Sequence, residues 1–242
     1  MRILVISDIH ANFTALEAVL ADAGDFDAAW CLGDLVGYGP DPNECVSRVR
    51  QLPNLKCIIG NHDAAALEQI DTDTFNPEAR LAILWTQEIL TEASREFLNS
   101  LPEQVITAAV TLAHGSPRHP VWEYLLDTRT ATINFEYFET PYCFVGHTHL
   151  PVMYHLDNKH RSAQLSLPEP NHSLKLTPRA ILNPGSAGQP RDSDPRAAYA
   201  LFEPETNTWD YRRVTYNIPI VQSRMTAVGL PEKHIRRLSA GW

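Results

Sequence analysis

The sequence predicts an α/β fold built of layers, and three observations predict it. Short runs rich in Ile, Val and Leu end abruptly in polar residues. Helical patterns fill the gaps between the first three runs. Beyond residue 150 the chain turns to strand-length segments separated by turn formers. An opening of the β-α-β-α-β type implies helices packed on a sheet.

Each element has its own justification. Residues 2–7, 28–32, 56–59, 110–113 and 142–145 are apolar on both faces and too short for helices, the pattern of buried central strands. Residues 14–20 place Leu16, Val19 and Leu20 at helical spacing, with Asn12 and Thr14 as capping candidates. Residues 42–52 do the same with Val46, Val49 and Leu52, behind Asp41 as N-cap. Residues 77–90, 93–101 and 130–138 also read as helices. In the second half, residues 152–156, 179–182, 198–203 and 209–214 read as strands, which suggests a second, more antiparallel sheet packed against the first. The polar segment 157–178 reads as a hairpin insertion or a loop over the site. No stretch reads as a linker, so residues 1–242 are expected to form one domain.

Bulk composition narrows the function classes. The chain carries a formal charge of −9, which argues against sequence-independent nucleic-acid binding, since that needs Lys and Arg to displace counterions. An anionic substrate stays compatible, because bound metal ions reverse the local field. Cys31, Cys45, Cys57 and Cys143 form no C-x-x-C pair, and three lie in apolar runs, so buried free thiols are expected. The opening MRILVISDIH is too short and too polar at its end for a signal peptide, and no apolar stretch is long enough to span a bilayer. A reducing, cytoplasmic location is the expectation. The charged end of the chain, 233–242, reads as a solvated helix, with a dimer contact through Trp242 as the alternative.

The chemistry sits at the ends of the five apolar runs. There the sequence places Asp8-x-His10, Gly33-Asp34, Gly60-Asn61-His62-Asp63, His114-Gly115 and Gly146-His147-x-His149. Ligands in open α/β sheets bind outside the carboxyl ends of strands. Five of the ten histidines fall in these motifs, so five strand ends converging on one place would assemble a metal site. Continued strand geometry would put Asp8 and His10, and likewise His147 and His149, on one face. The donors are oxygen and nitrogen without thiolate, which suits Mn, Fe, Zn, Co or Ni. Asp8, His10, Asp34, Asn61, His114, His147 and His149 are too many for one ordinary transition-metal site, whereas two divalent ions sharing a carboxylate would use them all. Paired metals lower the pKa of a bridging water, whose hydroxide attacks phosphorus in line, and they neutralise the equatorial oxygens. His62, beside Asn61, is placed to assist the leaving oxygen. Asn12 and Arg118 are candidates for contact with a phosphate. For Asn12 a helix cap is the competing role; for Arg118, a surface charge. Arg191 could reach a phosphate or pair with Asp192 or Asp194.

These motifs, in this order over residues 8–149, resemble those of the calcineurin-like metallophosphoesterase superfamily: D-x-H, G-D, G-N-H-D/E, H and G-H-x-H. Gly33–Pro40 and Asn183–Arg191 are similar to segments of a bacterial and archaeal subgroup of small cytosolic phosphoesterases, and the likeness extends to about residue 200. The resemblance implies a four-layer sandwich of two mixed β-sheets flanked by helices. It implies that Asp8, His10 and His149 hold one metal, that Asn61, His114 and His147 hold the other, and that Asp34 bridges them. Manganese is the first expectation for both ions. His62 would be the catalytic histidine. Superfamily protein phosphatases support that histidine with an Asp where this chain has Gly37, so a small phosphorylated substrate, such as a nucleotide, fits better than a phosphoprotein, with Asp63 as a candidate partner of His62. Phosphodiesters, phosphomonoesters and dinucleoside polyphosphates are all compatible. The alternative is a non-catalytic scaffold that keeps the fold for protein binding.

Overall fold

The apolar runs become the inner strands of two mixed sheets. The structure is a computed structural model that describes residues 1–157 and 159–242; Asn158, inside the polar segment 157–178, lies outside the described residues. The order begins β1 (Ile3–Ile6), α1 (Phe13–Ala23), β2 (Ala28–Cys31), α2 (Pro42–Arg50), β3 (Lys56–Cys57) and α3 (Asn61–Ala66). It continues with α4 (Pro77–Ile89), α5 (Glu92–Asn99), β4 (Gln104–Ile106), β5 (Val110–Ala113), α6 (Thr128–Asn134) and β6 (Tyr142–Phe144). Strands β7 (Pro151–Asp157), β8 (Ser162–Ser166), β9 (His172–Lys175), β10 (Ala180–Pro184), β11 (Ala197–Glu203) and β12 (Thr208–Val214) follow, and α7 (Ile218–Ala227) and α8 (Glu232–Ala240) close the chain.

One sheet has the order β3-β2-β1-β11-β12-β9 and the other β4-β5-β6-β10-β7-β8. The parallel triplet β1–β2–β3 forms one side of the first sheet and β5–β6–β10 the middle of the second, and antiparallel strands extend both. The division differs from the sequence expectation. The later strands do not make a sheet of their own: β11 and β12 join β1, while β7 and β10 join β6. Apolar alternation identifies a strand but not its partner, and β11 pairs with β1 across nearly the whole chain. The segment 157–178 gives an edge strand to each sheet, β8 to one and β9 to the other.

The sheets face each other through Ile3, Val5, Trp30, Leu112, Tyr142, Phe144, Phe202 and Trp209. Helices α1, α2 and α5 cover the outer face of the first sheet through Leu16, Val19, Val46, Val49 and Leu98. Helix α6 covers the second through Ala131, with Phe135 just beyond it. This is a helix–sheet–sheet–helix sandwich of four layers. Asn12 caps α1, its Oδ1 accepting from the Ala15 amide at 3.1 Å. Asp41 precedes α2, but its carboxylate accepts from Arg224 of α7 instead of capping the helix.

The end of the chain corrects the sequence reading. Helices α7 and α8 are not a solvated tail: Val221, Met225, Leu230, Ile235 and Leu238 pack on Tyr38, Ala79 and Ala82. The charged residues Lys233 and Arg236 face solvent from the opposite side of α8. All four cysteines are buried and unpaired, and among the described residues no helix is long and apolar enough to cross a membrane.

Candidate metal centre

The carboxyl ends of both parallel triplets open on one place, and every motif loop leads into it. The loop after β1 is pinned along the loop after β2. Asp8 N donates to Gly33 O at 3.1 Å, His10 N to Asp34 O at 2.9 Å and Ala11 N to Leu35 O at 2.8 Å. The second sheet is stitched to the first by Asp8, whose carboxylate accepts from His147 N at 3.2 Å. These loops are not extended, as a continued strand would be. Asp8, His10, Asp34, His147 and His149 have φ between 47° and 65°, a left-handed conformation that Asp, Asn and His tolerate better than most residues and that clusters at functional sites.

Seven donors converge, all between 0% and 2% exposed. His149 Nε2 lies 3.4 Å and His10 Nε2 3.9 Å from Asp8 Oδ1. His114 Nε2 lies 3.1 Å from Asn61 Oδ1. Between the groups, Asp34 Oδ2 sits 3.5 Å from His10 Nε2 and 3.4 Å from His114 Nε2. Asp8–His10–His149 and Asp34–His114–His147 each bring one donor atom per residue close enough to hold an ion.

Three backbone carbonyls orient the rings. His10 Nδ1 donates to Val36 O at 3.1 Å, His114 Nδ1 to Leu32 O at 2.7 Å and His149 Nδ1 to Gln189 O at 2.6 Å. Each bond fixes a proton on Nδ1, and in His10 and His149 it turns the Nε2 lone pair inward, the standard support of a ligating histidine. Burial works against a charge on His114, but Asp34 outweighs it and raises that ring's pKa to about 9, so its Nε2 would give up a proton to a cation. Burial holds His10, His147 and His149 well below the ordinary histidine range, so they are neutral donors. Burial also pushes Asp8 up. For Asp34 burial acts the same way, but the charge and hydrogen bond of His114 outweigh it and keep that carboxylate ionised.

The donor set fits metal ions. His10 Nε2 and His149 Nε2 approach to 3.1 Å, and with both protons on Nδ1 their lone pairs face each other. Such a contact is repulsive unless a cation takes both. Asp34 Oδ2 and His147 Nε2 are buried with no hydrogen-bond partner among the described residues, a costly arrangement for polar atoms that a metal would relieve.

His62 lies beside the cage. Its amide donates to Asp34 Oδ1 at 2.9 Å, and its ring is wedged among His10, Tyr38 and Phe75 at centroid distances of 4.8, 4.3 and 5.0 Å. Burial lowers its pKa to about 4. Asp63 does not support it, because the Asp63 carboxylate accepts from the amides of Val36 and Gly60. His62 Nδ1 has no partner, and it abuts Gly37, where a Cβ would come within 2.6 Å. Gly60 is similarly confined, since a Cβ there would meet Asp34 Oδ1 at 2.1 Å.

Asn12 and Arg118 are occupied elsewhere. Asn12 spends its amide on the α1 cap and on Gly188 O. Arg118 is paired with Glu123, which also accepts from Ser116 and Asn134. Arg191 pairs with neither Asp192 nor Asp194; it donates to Gln189 Oε1 at 3.1 Å and lies 5.7 Å over the Tyr38 ring. Sequence reasoning passed over Tyr38, Phe75, Trp122 and Tyr124, which border the donors. The signal for two of them is the alternation Trp122-Glu123-Tyr124 shortly after His114.

Known proteins share this architecture. Residues 1–207 match the calcineurin-like phosphoesterase superfamily domain. The chain is 37% identical to an uncharacterized protein of Methanocaldococcus jannaschii, MJ0912, over 99% of this chain and 98% of that one. A metallophosphoesterase from Sphaerobacter thermophilus superposes with a TM-score of 0.92 at 48% identity, covering 100% of this chain and 99% of the other. A symmetrical bis(5'-nucleosyl)-tetraphosphatase of Photorhabdus laumondii is 32% identical, but over only 36% of this chain and 38% of its own length. The fold, the motif order and the full-length likeness agree: the chain belongs to the calcineurin-like phosphoesterase superfamily.

Proposed function

We propose that this protein hydrolyses phosphate ester or phosphoanhydride bonds of a small phosphorylated substrate, using two divalent transition-metal ions. One observation carries the reading: the unpartnered Asp34 Oδ2 lies within 3.5 Å of a histidine from each of two donor groups. Asp8, His10 and His149 would hold one ion, Asn61, His114 and His147 the other, and Asp34 both. When bound, the ions supply an activated water and neutralise charge on the phosphoryl oxygens. Oxygen and nitrogen donors without thiolate suit manganese, iron, zinc, cobalt or nickel, and manganese is the first ion to test.

The protein's own groups do the rest. Val36, Leu32 and Gln189 hold three ligand rings in register through their carbonyls. His62, packed against the cage, donates a hydrogen bond to the leaving oxygen. Arg191, which lies over the Tyr38 ring and has no partner on Nε among the described residues, takes the phosphoryl contact in preference to Asn12 and Arg118, which are hydrogen-bonded to Gly188 and Glu123. Residues 1–242 act as one domain, and four unpaired buried thiols accord with a reducing, cytoplasmic location. The test is hydrolysis of a panel of phosphodiesters, phosphomonoesters and dinucleoside polyphosphates with added manganese. Turnover that disappears in folded Asp34→Ala and His62→Ala variants supports the assignment. A folded, metal-loaded protein that cleaves nothing in the panel would favour the non-catalytic scaffold.

A further inference from the structure

Aromatic rings border the donors where neither the core nor the metal chemistry requires them. Tyr124 stacks on the ligand His147 at 3.8 Å between centroids and 24° between planes, yet is 46% exposed. Trp122 presents an edge to the same histidine at 6.3 Å and is 36% exposed. Phe75 joins Trp122 at 5.2 Å and His62 at 5.0 Å. The rings thus run from the leaving-group histidine to a ligand of the second ion.

The loop carrying them is built for presentation. Residues 122 to 126 alternate: Trp122, Tyr124 and Leu126 are exposed, while Glu123 and Leu125 turn inward. Glu123 accepts from Ser116 at 2.7 Å and Asn134 at 2.7 Å and is paired with Arg118. Leu125 is 1% exposed, and its carbonyl accepts from Tyr154 OH at 3.1 Å. Two inward anchors, one charged and one apolar, hold Tyr124 between them and Trp122 just before them on the side of the site. The buttressed loop leaves Trp122 and Tyr124 with 36% and 46% of their surface open beside the donors. Rigid aromatic faces beside a positively charged phosphate site are what base stacking uses, without regard to base identity.

We propose that Trp122 and Tyr124, with Phe75, form a platform for the nucleobase of the substrate, which makes nucleotides the substrate class. Arg118 then acts through Glu123, as a positioning residue for the platform. The proposal rests on the phosphoesterase reading, since it needs a phosphoryl group anchored at the donors.

Two uncleavable ligands differing in the base alone test it: the phosphonate analogues of adenosine 5′-monophosphate and of ribose 5-phosphate, titrated calorimetrically into the full chain loaded with manganese. The adenine compound is expected to bind roughly tenfold tighter. Trp122→Ala should bring that ratio near one, and Trp122→Phe should preserve most of it. Trp122 is the cleaner probe, because Tyr124 also packs on a ligand. A ratio near one in the parent protein, or an unchanged ratio in Trp122→Ala, overturns the platform while hydrolysis of simple esters stands. Absence of hydrolysis of any phosphate ester by the same manganese-loaded protein overturns the reading beneath it, and the platform with it.

Discussion

Replacing Gly37 with alanine probes His62 while leaving every donor side chain in place. Gly37 has a φ of +87°, in the left-handed half of conformational space, where a side chain costs about 1–2 kcal/mol. The new methyl would lie 2.6 Å from His62 Nδ1 and 3.1 Å from its Cβ and Cγ, well inside an optimal contact of about 3.5–4.0 Å. The ring has no slack, because His10, Tyr38 and Phe75 close its other sides. It must swing out of place. Losing a positioned acid or hydrogen-bond donor lowers turnover by roughly 10²–10⁴-fold. The strain should lower the melting temperature by roughly 2–8 °C for a chain of this size. Steady-state hydrolysis of an aryl phosphodiester, elemental analysis and a thermal melt read the three quantities together. The expected combination is a large loss of turnover with metal content unchanged and a modest drop in melting temperature. A Gly37→Ala protein that melts lower but turns over at the parent rate would refute the role given to His62.

Three further substitutions probe other links. Asp34→Asn keeps the shape of the bridge and removes its charge; elemental analysis should find fewer than two ions per chain, and two retained ions would count against the bridge. Partial burial raises the Glu123 carboxyl, but hydrogen bonds from Arg118, Asn134 and Ser116 outweigh it and hold it at about 2. A folded value below the ordinary 4.5 means the stabilisation is complete above about pH 4.5 and fades toward pH 2. Glu123→Gln should therefore be less stable at neutral pH, with the gap closing in acid; a gap independent of pH would contradict the ion pairing. Leu238→Ala removes a side chain 4% exposed that packs in the cluster around Tyr38. It should cost roughly 2–5 kcal/mol in denaturant unfolding, and a negligible cost would show that α8 is peripheral.

Much of the donor set was legible because side-chain chemistry is local. An apolar run ending in Asp8-x-His10 or Gly146-His147-x-His149 announces both a strand and what lies at its end. Within those motifs strand periodicity does not hold, since the residues sit in left-handed turns beyond the strand, and φ leaves no mark on composition. Sheet membership was also out of reach, because β11 fits beside β1 only once residues nearly two hundred positions apart meet. On α8 the charges of Lys233, Arg236 and Arg237 masked the buried stripe of His234, Ile235 and Leu238. Arg118 and Arg191 look alike in sequence; only the placement of Glu123, Gln189 and Tyr38 separates the arginine paired with a carboxylate from the one lying over the Tyr38 ring.

Anomalous diffraction from manganese-loaded crystals would locate the two cations. Two peaks are expected on either side of Asp34, roughly 3.5–4 Å apart as in other two-metal sites. One should lie against Asp8, His10 and His149, the other against Asn61, His114 and His147. A single peak, or peaks confined to surface carboxylates, would contradict the two-ion site.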